Sequence, residues 1–146
     1  MSWNKVLWSS LRMDWATPQA IYDELDHGEF QFHFDLDACA TKESAKCKNF
    51  IGPDQDALSI DWPGKSVFMN PPYGREVKKW IQKAYDESQK GKTVVCLLAA
   101  RTDTTWFHDL CAKGEIFFFK GRIKFDGKNS APFPSMIVIF RLDGGV

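Results

Sequence analysis

The sequence predicts an α/β domain in three layers, and three observations carry that prediction. Residues 93–100, TVVCLLAA, form a continuous apolar run, the pattern of a strand buried on both faces of a parallel sheet. Over residues 75–90, Val77, Trp80, Ile81, Ala84 and Tyr85 recur at helical spacing, and Gly91 closes the pattern. Strand and helix patterns alternate along the chain until a pair of strands, residues 115–120 and 135–141, ends it.

Taken in order, residues 1–12 read as an N-terminal arm and residues 13–146 as one domain; 146 residues with 44% hydrophobic content suffice for a single core. Thr17 and Pro18 offer a helix start, Thr17 as cap and Pro18 in the first turn, with apolar Ile21 and Leu25 carrying the helix to about Asp26. Phe32, Phe34 and Leu36 alternate with His33 and Asp35, the period of a strand. Residues 46–51 suggest a second short strand before the Gly52-Pro53 break. Residues 66–69, SVFM, form a strand stopped by Asn70-Pro71-Pro72, because proline donates nothing to a sheet ladder and restricts the residue before it. A helix is expected over residues 104–112. The loop 121–134 separates the last two strands.

Composition excludes several classes. No stretch approaches the roughly 18 apolar residues of a membrane span, and the N-terminus has no signal-peptide pattern, so a soluble intracellular protein is expected. Cys39, Cys47, Cys96 and Cys111 lack CxxC or Cys/His spacing, and His27, His33 and His108 lie apart; no metal site is expected. The 19 basic and 19 acidic residues balance, so any attraction to nucleic acid must be local.

Ligands of open α/β sheets bind beyond the carboxyl ends of the strands, and two such ends carry unusual loops, Asp37-Ala38-Cys39-Ala40 and Asn70-Pro71-Pro72-Tyr73. A rigid turn is the plain reading of the second. A chemical reading accounts for each residue. The Asn70 side-chain oxygen and the Pro71 carbonyl can accept the two hydrogens of a conjugated amine, whose nitrogen is a poor nucleophile until it becomes pyramidal. The prolines Pro71 and Pro72 fix those acceptors, and Tyr73 supplies a ring face for a base taken out of a duplex.

The loop resembles the fourth motif of amino methyltransferases, and the chain is similar to the small phage-type DNA N6-adenine methyltransferases related to Dam. Supporting residues are Trp15-x-Thr17-Pro18, the run LDACAT at 36–41, Ala45-Lys46-Cys47, the run LLAA at 97–100 and the run GRIKF at 121–125. The resemblance implies a compact Rossmann-like methyltransferase fold, a mostly parallel sheet with a reversed C-terminal strand. The loop after Asp37 departs from the family pattern in lacking its glycine-rich turn, so a reduced first half is expected. It implies S-adenosyl-L-methionine as cofactor, double-stranded DNA as partner and the host cytoplasm as location.

By the same resemblance Asn70, Pro71, Pro72 and Tyr73 are catalytic. Asp37 and Ala38 face the methionine part of the cofactor, Asp56 accepts from its adenine amine, and Trp15 and Thr17 cover its methionine end. From the residues themselves, Arg122, Lys124 and Lys128, with Phe125 among them, form a local basic and aromatic cluster. It reads either as a nucleic-acid contact, Phe125 supporting the flipped base, or equally as a strand extension around Ile123 and Phe125 with solvated lysines. Lys78, Lys79 and Lys83 read as helix surface, with Arg75 the exception that reaches nucleic acid. Only eighteen residues separate Asp37 from Asp56, too few for the helix and strand of a βαβ unit of about thirty residues or more. The acceptor pair would also serve cytosine N4, adenine in RNA or a protein glutamine. A catalytically inactive DNA- or cofactor-binding protein of the same fold is the alternative from another class.

Overall fold

The computed structural model describes residues 15–142, and the arm expected over residues 1–12 lies outside them. Helices α1 (Gln19–His27), α2 (Val77–Ser88) and α3 (Thr105–Asp109) accompany strands β1 (Leu36–Asp37), β2 (Ser66–Met69), β3 (Thr93–Ala99), β4 (Glu115–Phe118) and β5 (Ser135–Phe140). The strands make one mixed sheet in the order β1-β2-β3-β5-β4. β1, β2 and β3 are mutually parallel, whereas β5 runs antiparallel to both β3 and β4. The last strand is therefore the reversed one, inserted between β3 and β4.

Successive side chains of a strand point to opposite faces, and here both faces are covered. Val67, Met69, Val94, Cys96, Leu98, Met136 and Val138 share one core with Val77, Trp80, Ile81 and Ala84 of α2. The intervening residues Phe68, Val95, Leu97, Ile137 and Ile139 share another with Tyr22 and Leu25 of α1. This double burial explains the unbroken apolar run of β3. Ile81 is fully buried, and truncating it to alanine would cost roughly 2–5 kcal/mol. Gly91, at φ 101°, ends the turn after α2 in a conformation open to glycine.

Three local expectations fail, each for a stated cause. The strand expected at residues 32–36 shrinks to Leu36–Asp37. Phe32 and Phe34 do alternate in burial with exposed neighbours, but the backbone N–H of Phe32 and of His33 bond to the carbonyls of Leu25 and Asp26, and that of Phe34 to the Asp26 carboxylate. His33 also takes a φ of 49°, which no strand tolerates. The end of α1 thus claims the donors a ladder would use. The second strand, at 46–51, is reduced to one parallel bridge between Phe50 and Asp37. Thr17 is not the helix cap: Pro18 holds that position, with ψ 137° and no side-chain cap bond.

The C-terminal half follows the expected pattern more closely. Thr104 caps α3 by accepting from the Phe107 N–H at 3.2 Å, and the expected helix 104–112 divides into α3 and a 3-10 turn, Cys111–Lys113. Among the described residues no helix is long and apolar enough to cross a membrane.

Candidate active site

β1 and β2 are paired in parallel with Asp37 beside Phe68, and the Ala38 N–H extends the ladder to the Phe68 carbonyl at 2.9 Å. Their carboxyl ends therefore release the loops beginning at Ala38 and Asn70 side by side. Ligands of open α/β sheets bind outside the carboxyl ends of the strands, the end from which both loops leave. Pro71 is buried, Pro72 and Tyr73 are half-buried, and Gly74 at φ 136° turns the chain toward α2.

Asn70 is wholly buried. Its Nδ2 donates to the Trp15 carbonyl at 2.8 Å and to the Thr17 hydroxyl at 2.9 Å. An amide nitrogen has two hydrogens, and these two acceptors account for both. The amide plane is thereby fixed by a segment more than fifty residues earlier in the chain. The Tyr73 hydroxyl donates to the Leu97 carbonyl of β3 at 3.3 Å, which pins the far end of the loop to the sheet.

Beside the loop lies an aromatic cluster over Ala99 and Ala131. Phe133 is at its centre, edge-to-face with Trp15 at 5.2 Å and with Tyr73 at 5.2 Å, and 6.1 Å from Phe125. Trp15 and Phe125 also meet edge-to-face at 5.4 Å. The Arg101 guanidinium lies 5.7 Å above the Phe133 ring. Such contacts contribute about 0.5–1.5 kcal/mol each beyond burial, enough to hold the rings in fixed relation.

Phe133 and Arg101 are absent from the residues that the sequence singled out. The available signals were the flanking prolines of Phe133 and the position of Arg101 one residue beyond the run LLAA.

The remaining candidates divide by environment. Asp37 is 1% exposed, and its carboxylate accepts from the Cys39 N–H at 3.3 Å and the Lys46 N–H at 3.1 Å. It closes the loop that Ala38, itself fully buried, begins. Asp56 is exposed and accepts from the Leu58 N–H at 3.1 Å, an Asx turn of its own.

Arg122, Lys124 and Lys128 are exposed on the loop before β5, as is Arg75 ahead of α2. Arg122 braces that loop by donating to the Ala131 carbonyl at 3.2 Å, and Asp126 caps its turn through the N–H groups of Lys128 and Asn129. Lys83, expected on the helix surface, instead donates to the buried Glu87 carboxylate at 2.9 Å.

Two other chemistries lack support. Burial pushes the Cys96 thiol well up and the Cys111 thiol to about 12, which disfavours a thiolate nucleophile at either. No cluster of three metal-ligating side chains occurs among the described residues.

The fold and the loops define the class: an α/β domain whose proline-fixed loop leaves the carboxyl end of an inner strand of the sheet, next to an aromatic wall. The model of the family described as DNA N-6-adenine-methyltransferase (Dam) matches residues 6–142, and the chain belongs to that family. It is 35% identical over 135 residues to a DNA N-6-adenine-methyltransferase of Haemophilus phage HP1 (strain HP1c1), an alignment covering 86% of this chain and 77% of the relative.

Proposed function

We propose that this protein transfers a methyl group from S-adenosyl-L-methionine to N6 of adenine in double-stranded DNA, with Asn70, Pro71, Pro72 and Tyr73 as the catalytic loop. The observation that carries this reading is the buried Asn70 amide, whose nitrogen donates to Trp15 and Thr17. With Nδ2 turned to those acceptors, Oδ1 is the opposite, acceptor end of the amide, the polarity that a substrate amine requires. Family membership supplies the adenine amine as that substrate.

The cofactor supplies an electrophilic methyl group on a sulfonium. Ala38, Cys39 and Ala40, buried at the end of β1, place the start of its loop next to the Asn70 loop, and the cofactor would lie across these two strand ends. Asp37 is a carboxylate at the end of β1, and its negative charge suits the ammonium of the methionine part. Asp56 accepts from the cofactor's adenine amine, and Trp15 covers its methionine end. The finer fold class consistent with these loops is the Rossmann-like three-layer methyltransferase domain with a reduced first half.

The adenine leaves the duplex stack to reach the loop. Oδ1 of Asn70 and the carbonyl of Pro71 accept the two N6 hydrogens and favour the pyramidal nitrogen. Held in this way, the nitrogen lone pair would face the methyl group that a bound cofactor supplies, and the amine proton displaced would leave to water. Tyr73 stacks on the extruded base, with Phe125 behind it. Arg75, Arg122, Lys124 and Lys128 contact phosphates, which makes DNA affinity fall with salt. An adenine product is also the better physical match than N4-methylcytosine, since Tyr73 offers a broad face to the larger purine.

The test is nucleoside mass analysis of DNA incubated with the purified protein and S-adenosyl-L-methionine. N6-methyladenine is expected. N4-methylcytosine as the dominant product, or no methylated nucleoside, would overturn the reading.

A further inference from the structure

We infer that Thr17 is a positioning residue for Asn70: its hydroxyl holds the catalytic amide in the orientation that the Trp15 carbonyl sets, and does not hold the cofactor. The inference rests on the proposed role of Asn70. Thr17 is 4% exposed, and its Oγ1 is 2.9 Å from Asn70 Nδ2, with the Trp15 carbonyl 2.8 Å from the same nitrogen.

An asparagine amide is nearly symmetric in shape but opposite in polarity at its two ends. Rotated by half a turn, it would present N–H donors to the N–H donors of the substrate amine, and the acceptor that activates the nitrogen would be lost. The Trp15 carbonyl, an acceptor only, excludes that state, because rotation would set Oδ1 against its oxygen and strand a buried donor. The Thr17 hydroxyl, on the second Nδ2 hydrogen, fixes the amide in the orientation that remains.

The Trp15 carbonyl is part of the backbone and carries no information in its side chain. Thr17 is the side-chain partner by which the sequence anchors the amide in that orientation. The segment carrying both leads directly into α1, whose first helical residue is Gln19, and α1 is packed on the sheet through Tyr22 and Leu25. The acceptors are thus anchored to the core and not to a free loop. Misplacement of a reacting group by about 1 Å can cost on the order of a hundredfold in rate.

The experiment compares Thr17→Val, Thr17→Ser and Asn70→Ala in the full chain by single-turnover methyl transfer to DNA, with calorimetric titration of S-adenosyl-L-methionine and thermal unfolding of each. Thr17→Val is nearly isosteric and removes the hydroxyl that holds the amide; the rate should fall about 10- to 100-fold, with cofactor affinity within about twofold of the parent. Thr17→Ser keeps the acceptor and should stay within about threefold of the parent rate.

A Thr17→Val protein with parental rate overturns the inference, as does one whose loss lies in cofactor affinity and vanishes at saturation. A Thr17→Ser protein as slow as Asn70→Ala also overturns it, and this arm stands even if the valine variant does not fold. Should Asn70→Ala itself retain substantial methyl transfer, it is the reading of the loop that fails.

Discussion

The two crossovers that leave the parallel strands are built by opposite means. Between β2 and β3 the chain folds α2, an amphipathic helix whose Val77, Trp80, Ile81 and Ala84 are buried against the sheet. Between β1 and β2 there is no helix, and the segment is held by polar groups. Asp37 ties Cys39 and Lys46, Thr41 and Ser44 bond each other, and the Trp62 indole donates to the Ala57 carbonyl at 2.9 Å. A helix stabilises its own backbone polar groups, whereas an irregular segment must find a partner for each one. The first crossover, residues 38–65, is longer than the second, residues 70–92, so its lack of a helix is not a matter of length; its polar side chains are consumed in that task.

The two crossovers are joined at Glu87 of α2. Its buried carboxylate accepts from the Trp62 N–H of the first crossover and from Lys83, Lys90 and Lys92, and Lys92 also donates to the Trp62 carbonyl. Burial alone would raise the Glu87 pKa, but the hydrogen bonds from the three lysines outweigh it and hold the group down at about 2, below its ordinary 4.5. Glu87 and Ser88 extend the buried face of α2 beyond the apolar residues that the sequence pattern marks.

The largest expected effect is at the start of the second crossover. Asn70→Ala should lower single-turnover methyl transfer by about a hundredfold to a thousandfold, the scale of one preorganised group at a reacting centre, with cofactor affinity nearly unchanged. Retained turnover would make the proline loop structural, and the second crossover would then differ from the first in architecture alone.

Breaking the joint should reach both crossovers together. Glu87→Gln leaves three lysines around a neutral group and should destabilise the protein by about 3 kcal/mol in denaturant titration. The pH dependence has a defined sign. Because the folded pKa lies below the unfolded one, the stabilisation by Glu87 is complete above about 4.5 and is lost as pH falls toward about 2. The glutamine variant should therefore show a flatter acid limb between those values. An unchanged limb would mean that the three lysines do not act on Glu87 in solution.

Asp37 probes the first crossover by itself. Asp37→Ala removes the acceptor for two backbone N–H groups, one on the buried Cys39, and should cost about 1–3 kcal/mol. It should also weaken S-adenosyl-L-methionine at least about tenfold by calorimetry. Loss of stability without loss of affinity would leave Asp37 as the brace of the first crossover only. The smallest effect is expected at Asp56, exposed and bonded within its own turn: Asp56→Ala should alter stability by under about 1 kcal/mol. Any larger change in cofactor affinity would isolate its proposed contact with the adenine amine.

The sequence by itself determined the elements whose signal is short-ranged. The spacing of Val77, Trp80, Ile81 and Ala84 specified α2, and the run at 93–99 specified β3, because burial of one stripe or of both strand faces is written in neighbouring residues. The proline loop was legible for the same reason, since Pro71 and Pro72 set their own backbone.

Tertiary structure alone decided what depends on distant partners. Phe32 and Phe34 alternate as a strand would, yet the carbonyls and carboxylate at the end of α1 take their donors. Thr17 reads as a helix cap until Asn70, fifty-three residues later, is folded against it, and Trp62 meets Glu87 across twenty-five. Phe133 and Arg101 enter the aromatic wall because β5 returns antiparallel beside β3, setting Ser135 opposite Ala99. A hydrogen bond or ring contact forms only where two chain segments already lie a few ångströms apart, and that proximity is a property of the packed sheet.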